Sequence, residues 1–215
     1  MNTEDSINTA YDDAADDYAT KFWNEIEHKN LDRILLRWLA DQIPPSEEIL
    51  EIGSGPGEVS AYLSRFHGGC IGTDLSEQMI RNARKYFPKV KFEVQDFFNL
   101  SYADSSFAAV VAFYAIVNLT KEDIGKVLAE AKRVLKPNGI LQFTFHVRKT
   151  KNTITINKFF DKDNQLSFYL YTVEEIRRLT KSLGFEQIDI ITRYAYKEVE
   201  YPTTRAYFIL RKPNA

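Results

Sequence analysis

The sequence predicts an α/β fold, a doubly wound and mostly parallel sheet with helices on both faces. Three observations carry this reading. From Glu48 onward, short apolar strand-like runs alternate with segments of helical periodicity. The first run, Ile49-Leu50-Glu51-Ile52, opens onto a turn with Gly53, Gly55 and Gly57 at alternate positions. The run from Phe107 to Phe113 is apolar almost without a break, as a central parallel strand covered on both faces must be.

Composition narrows the class further. The 215 residues suit a single α/β domain, and the 44% hydrophobic and 27% charged fractions are ordinary for a globular protein. With 28 Lys+Arg against 30 Asp+Glu, the net charge of -2 gives no global attraction to nucleic acid or to an anionic membrane. Neither partner is expected. No run approaches the ~18 apolar residues of a membrane span. The start, Met1-Asn2-Thr3-Glu4-Asp5, is acidic and polar, unlike a signal peptide. A single cysteine, Cys70, excludes an internal disulfide and falls in a strand, where a free thiol packs as a small hydrophobe. A reduced, cytoplasmic setting is the expectation.

In residues 1–30, Tyr11, Ala15, Tyr18 and Phe22 follow helical spacing, with Asp12, Asp13, Asp16 and Asp17 interleaved. One or two short helices are expected here, capping the sheet or, as we read them, closing as a lid within residues 1–45. A further helix is expected from an Asn30 N-cap to Gln42, buried through Leu31, Ile34, Leu35, Trp38 and Leu39 and stopped by Pro44-Pro45. The glycine turn leads into a helix with Val59, Tyr62, Leu63 and Phe66 on one face. Glycine reaches φ > 0 without strain and lets a ligand approach bare backbone. Such a turn by itself is also compatible with a plain strand-to-helix connection.

Residues 69–75 then read as a strand ending at Asp74, about 20 residues beyond the turn, where a carboxylate is suited to ribose hydroxyls. Ser76 caps the next helix. Residues 90–94 form a third strand leading to Asp96 and Phe97, an acceptor for an exocyclic amine beside a ring able to cover a base. After the central strand, Thr120 caps a long helix ended by Lys136-Pro137-Asn138-Gly139, and residues 140–147 make the fifth strand. Beyond Arg148 the pattern changes. Residues 148–171 read as a hairpin inserted over the sheet edge, and Thr172 opens a capping-box helix ended by Gly184. Residues 185–193 and 205–210 close the chain as strands joined without a helix, and hence antiparallel.

These motifs, in this order and at these separations, resemble the class I S-adenosylmethionine-dependent methyltransferases, in their small-molecule branch. The likeness runs from about Ile49 to Val147: Glu51-Ile-Gly-Ser-Gly-Pro-Gly57, Gly72-Thr-Asp74-Leu-Ser76, Gln95-Asp96-Phe97, the run to Phe113, and Arg133 to Leu141. Tyr11-Asp12, Ala15 and Tyr18 are similar to the family's first helix. The glycine spacing departs from the G-x-G-x-x-G of a dinucleotide binder. The resemblance implies a Rossmann-like, seven-stranded sheet whose last strand is antiparallel and inserted beside its neighbour. It implies S-adenosylmethionine as cofactor, with Gly53, Ser54, Gly55 and Gly57 giving backbone access and Glu51 placing the methionine end. Asp74 would hold the ribose, Asp96 with Phe97 the adenine, and Leu75, Met79, Phe113, Tyr114 and Tyr18 would line the remainder.

Methyl transfer from a sulfonium needs alignment and exclusion of water more than side-chain chemistry. A base is required only for an acceptor that reacts from a protonated form. His146, at the carboxyl end of the fifth strand, is the candidate base, with Tyr18 as a second candidate catalytic group. Tyr18, Phe22, Tyr169, Tyr171 and Tyr196 are candidates for an aromatic pocket around a small or medium acceptor. No His/Cys/Asp/Glu spacing suits a metal. A cofactor-binding regulatory or scaffold protein, or an aminopropyl-type transferase on the same fold, are the competing readings. A monomer or homodimer is expected.

Overall fold

The computed structural model describes residues 4–214. The first three residues of the polar N-terminus lie outside that range. The first helix, α1, runs without interruption over Glu4–Phe22, where one or two short helices were expected. A 3-10 turn, Glu25–His28, joins it to α2, Asn30–Gln42. The expected cap does not form: Lys29 is the N-cap, and Asn30 Oδ1 instead accepts from Arg33 at 2.6 Å. The free Leu31 N–H at this helix end donates to the Tyr196 hydroxyl at 2.8 Å, a cap supplied from 165 residues away. No sequence rule reaches that far.

The alternation then unfolds as β1 (Ile49–Ile52), α3 (Glu58–Ser64), β2 (Cys70–Asp74), α4 (Glu77–Tyr86), β3 (Lys91–Val94), β4 (Phe107–Phe113) and α5 (Lys121–Val134). Ser76 caps α4 by accepting from Met79 N at 3.0 Å, and Thr120 caps α5 by accepting from Asp123 N at 3.2 Å. The next strand, β5, spans Leu135–Val147, longer than expected because the Lys136-Pro137-Asn138-Gly139 segment stays extended inside it. That segment carries Asn138 at φ 63° and shifts the β4–β5 register between Phe107 and Ala109. It works as an irregularity in the strand, not as a loop before it.

Strands β6 (Thr153–Ile156) and β7 (Leu166–Tyr169) form a separate antiparallel hairpin, followed by α6 (Val173–Ser182), β8 (Glu186–Arg193) and β9 (Thr204–Arg211). The main sheet has seven strands in the order β3-β2-β1-β4-β5-β9-β8, parallel from β3 through β5. As expected, β9 runs antiparallel and is inserted, here between β5 and β8. The strand order reverses between β1 and β4, so a crevice opens at their carboxyl ends.

Two apolar layers cover the sheet. Leu50, Val110, Leu141, Phe143 and Phe208 pack under α5 and α6, while Ile49, Val111, Phe113, Tyr207 and Ile209 pack under α2 and α3. The hairpin does not cover a sheet edge. It stands over the carboxyl end of β4, where Tyr169 N donates to Val117 O at 2.8 Å and Asn118 Nδ2 to Ser167 O at 3.0 Å. Its apolar residues Phe159 and Leu166 bury against Ala10 and Ala14 of α1, which offers them a cover that the strand edges do not. No helix among the described residues is long and apolar enough to cross a membrane.

Gly57 sits at φ +90°, and a Cβ there would lie 2.5 Å from Phe92 Cζ and 3.0 Å from Ala83 Cβ. Replacement by alanine adds backbone strain to overpacking. We expect Gly57→Ala to lower unfolding stability by about 2–4 kcal/mol in urea titration. A loss under about 1 kcal/mol would show that Phe92 yields freely.

Candidate functional site

A cleft of about 1080 Å³ opens at the carboxyl ends of β1 to β5, between the glycine turn, α1 and the hairpin. Its base is set by a clamp. Thr73 O accepts from Ser54 N at 2.8 Å, and the Asp74 carboxylate accepts from Gly55 N at 2.8 Å and from Ser76 N at 3.0 Å. One side chain thereby ties the end of β2 both to the glycine turn and to the start of α4. Gly53 (φ +65°) and Gly55 (φ +51°) line the cleft, and a Cβ on Gly53 would lie 2.5 Å from Ala115 Cβ. Gly57 does not line it. Its role is the close packing of α3 onto Phe92, which corrects the expectation of ligand access there.

Beside the turn, Glu51 is buried and accepts from Ser60 Oγ at 2.5 Å, and burial pushes its carboxyl well above the usual range. Asp96 accepts from Phe98 N at 2.7 Å, which turns the β3 end toward the cleft. Tyr18, Ser54, Leu75, Met79, Phe97, Phe113, Tyr114 and His146 line the same space, as do Glu51, Asp74 and Asp96. The Ser54 hydroxyl is buried without a partner in the protein. A buried unpaired hydroxyl at a glycine cradle suits a polar ligand. Burial holds the Tyr18 phenol well above its ordinary pKa, so it stays a neutral donor and not a phenolate base.

The roof comes from α1. Ser76 Oγ donates to Asp12, Asn82 Nδ2 donates to Asp16 at 2.9 Å, and Trp23 stacks on Tyr86, all on the α4 side. On the other side Tyr11 OH donates to Asn118 Oδ1 at 2.8 Å, and Asn164 Nδ2 to Asp13 at 2.8 Å. Of residues 1–45, α1 and the 3-10 turn face the cleft, while α2 packs on the sheet and reaches the cleft only through its first turn.

The far wall is polar. Tyr114 leaves β4 at φ 58°, with Lys29 Nζ 4.4 Å above its ring and its hydroxyl 3.3 Å from Glu200. Behind it, fully buried Asp32 accepts from Tyr207 OH at 2.6 Å and from Arg193 Nη2 at 2.9 Å. Arg193 also grips Glu200 through two bonds, at 2.6 and 2.8 Å. His146 Nδ1 lies 2.7 Å from Thr203 Oγ1. Burial, and then the nearby Arg205 and Lys29 charges, push its pKa down to about 4.

Three of the expected aromatic residues do not face the cleft. Tyr169 pairs in the hairpin, Tyr171 OH donates to Leu119 O at 2.8 Å, and Tyr196 caps α2 beneath the Arg193 guanidinium. Phe159, Phe160 and Phe168 occupy the aromatic wall with Tyr18 and Phe22. The adjacent pair Phe159-Phe160 was the available signal. Lys29, Glu58, Glu200, Thr203 and Arg205 also line the cleft, and nothing in their local sequence marks them. Among the described residues no group of His, Cys, Asp and Glu is arranged to hold a metal ion.

A family model described as a methyltransferase domain matches residues 49–139. The demethylmenaquinone methyltransferase of Bacteroides fragilis is 30% identical over 190 residues, covering 79% of this chain and 74% of that protein. This chain belongs to the class I S-adenosylmethionine-dependent methyltransferases. The ubiquinone/menaquinone biosynthesis C-methyltransferase of Rickettsia felis is 32% identical over 62% of this chain. The chain spans 56–57% of the length of the first curated relatives it matches. A solved S-adenosylmethionine-dependent methyltransferase of Methanosarcina mazei superposes with a TM-score of 0.72 at 18% identity, covering 81% of this chain and 96% of that one, a likeness of fold. The cofactor of this enzyme family is S-adenosylmethionine, and the glycine cradle, the Asp74 clamp and the unpaired Ser54 hydroxyl fit such a group.

The polar wall has a measurable cost of disruption. Removing the Asp32 carboxylate leaves Arg193 and the Tyr207 hydroxyl short of a buried partner. Asp32→Ala is expected to lose about 3–5 kcal/mol of stability in chemical denaturation. A loss below about 1 kcal/mol would mean that Glu200 alone satisfies Arg193.

Proposed function

We propose that this methyltransferase moves a methyl group from S-adenosylmethionine to a small-molecule acceptor by in-line displacement. One observation carries the reading: a single cleft joins the glycine cradle to a chamber walled by Phe22, Phe159, Phe160 and Phe168. The bound sulfonium supplies the electrophile, and the protein's contribution is to hold, orient and keep dry. Asp74 and Asp96, at adjacent strand ends, are the acceptors we assign to ribose and adenine, with Phe97 against the base. Phe113 and Tyr114 we place near the reacting sulfur, since they cross from the cradle to the chamber. The aromatic wall suits a flat, apolar ring. The names of the quinone-type relatives are consistent with that choice, and a quinol belongs first in any acceptor panel.

His146 faces this chamber as a neutral ring. With its pKa near 4 it is too weak a base to keep an abstracted proton at neutral pH. Its role in our reading is to hydrogen-bond and orient the acceptor's polar group, with Thr203 fixing the ring.

The test is methyl release across quinols, phenols, amines and carboxylic acids, beside calorimetry with S-adenosylmethionine. Binding without turnover on any acceptor would favour a regulatory protein. On the best acceptor, His146→Ala is expected to lower kcat about 10-fold, while the wild-type rate stays level between pH 6 and 8 with respect to this group. A wild-type limb near pH 6.5 that vanishes in the variant would make His146 an ordinary general base.

A further inference from the structure

The polar wall of the cleft shares its charges unevenly. Asp32 and Glu200 are its buried carboxylates, and Arg193 takes the close ion pairs of both. On Glu200, Oε1 accepts from Arg193 Nη2 at 2.8 Å, while Oε2 accepts from Arg193 Nη1 at 2.6 Å and from Tyr196 N at 2.8 Å. Lys29 has Glu25, 2.6 Å from its Nζ. Arg205 is left over. It stands on β9 directly opposite His146 of β5, 2% exposed, and lines the cleft. Its Nη1 donates to Tyr201 O at 2.7 Å and to Thr203 O. Its Nε is buried without a hydrogen bond. Its one ion pair among the described residues, to Glu200 Oε1 at 3.5 Å, shares a carboxylate that Arg193 already holds.

We propose that Arg205 selects the acceptor by binding an anionic oxygen group, a ring oxyanion or a carboxylate, carried on its aromatic ring. The inference rests on the methyl-transfer reading and adds to it the charge of the acceptor. A buried guanidinium with an unpaired N–H is costly unless an anion or another acceptor atom completes it. Guanidinium keeps its charge at neutral pH and presents its donors as a flat fork, the geometry that fits a carboxylate or an oxyanion.

The surroundings suit such a group. His146 lines the same space, its Nδ1 2.7 Å from Thr203 Oγ1 and its ring centroid 5.7 Å from that of Tyr114. After burial, the charges that hold the His146 pKa down are those of Arg205 and Lys29, with Glu200 opposing them more weakly. The field at that ring is therefore positive. An acceptor that arrives ionised has already given its proton to solvent, so the neutral His146 ring has none to take.

Calorimetry on the protein loaded with S-adenosylhomocysteine tests the subsite with three probes built on one ring. They are 4-nitrophenol at pH 8, where it is ionised, 4-nitrobenzoate, and the neutral ether 4-nitroanisole. Wild type is expected to bind at least one of the anions ~10-fold or more tighter than the ether. Which anion binds tighter tells a ring oxyanion from a carboxylate. In Arg205→Met that preference should shrink to about twofold or less, with S-adenosylhomocysteine and the ether within about twofold of their wild-type affinities. Arg205→Lys keeps the charge without the fork and should retain an intermediate preference; it serves as the folded variant if Arg205→Met proves unstable. Equal affinity of wild type for all three probes overturns the subsite alone, as does an anion preference that survives in Arg205→Met. A parallel loss of the ether and of S-adenosylhomocysteine in Arg205→Lys overturns it too, since the residue would then be purely structural. A wild type that binds no S-adenosylhomocysteine overturns the methyl-transfer reading with it.

Discussion

The site depends on the carboxylate of Asp74. By accepting from Gly55 N and Ser76 N, it fastens the end of one strand to the glycine turn of its neighbour and to the start of α4. Those backbone groups sit at helix starts and tight turns, where donors lack partners within their own element. Asp12 of α1 reaches the same Ser76, so the roof is anchored at the point where the floor is clamped. Distortion at Asp74 would spread to the glycine cradle, to α4 and to the first helix together.

The cleft divides its work between two chemical surfaces. The cradle side presents backbone and carboxylates, which suits a charged, hydroxylated cofactor. The chamber side is aromatic, built where α1 meets the β6–β7 hairpin, with Tyr11 and Phe159 ring centroids 5.1 Å apart. Between them stands the polar wall of Lys29, Asp32, Tyr114, Arg193, Glu200 and Tyr207. This network of buried charges is nearly self-satisfied, and such networks favour one geometry over alternatives because a half-broken one is so costly. It holds Tyr114 in a left-handed conformation that a tyrosine rarely adopts, as is common where a side chain must be aimed at a site.

Much of the cradle side of the cleft was readable from local pattern. Gly53, Gly55, Asp74 and Asp96 stand at or just beyond the ends of short strands, and strand ends in a parallel sheet converge on one crevice. Their neighbours Leu75, Met79 and Phe97 travel with them. Gly57 was misread because a glycine needed for packing on Phe92 looks the same in sequence as one needed for a ligand. The aromatic side was much less readable. Tyr171 and Tyr196 have the composition of a binding pocket, but their hydroxyls are committed to Leu119 O and Leu31 N. Phe160 reaches the cleft because the hairpin folds back over the sheet, and Arg205 because β9 is inserted beside β5, opposite His146.

By itself the sequence determined the layer architecture, the order of strands and helices, and the position of the cradle, because these follow from periodicities of a few residues and from turn chemistry that acts locally. Tertiary structure alone decided what the hairpin covers, which tyrosines face the cleft, and how Asp32, Arg193 and Glu200 share their charges. Most of those outcomes join residues distant in the chain, 52 positions for Tyr171 and Leu119 and 161 for Asp32 and Arg193, and depend on which apolar faces and buried donors remain unmatched after the sheet has formed.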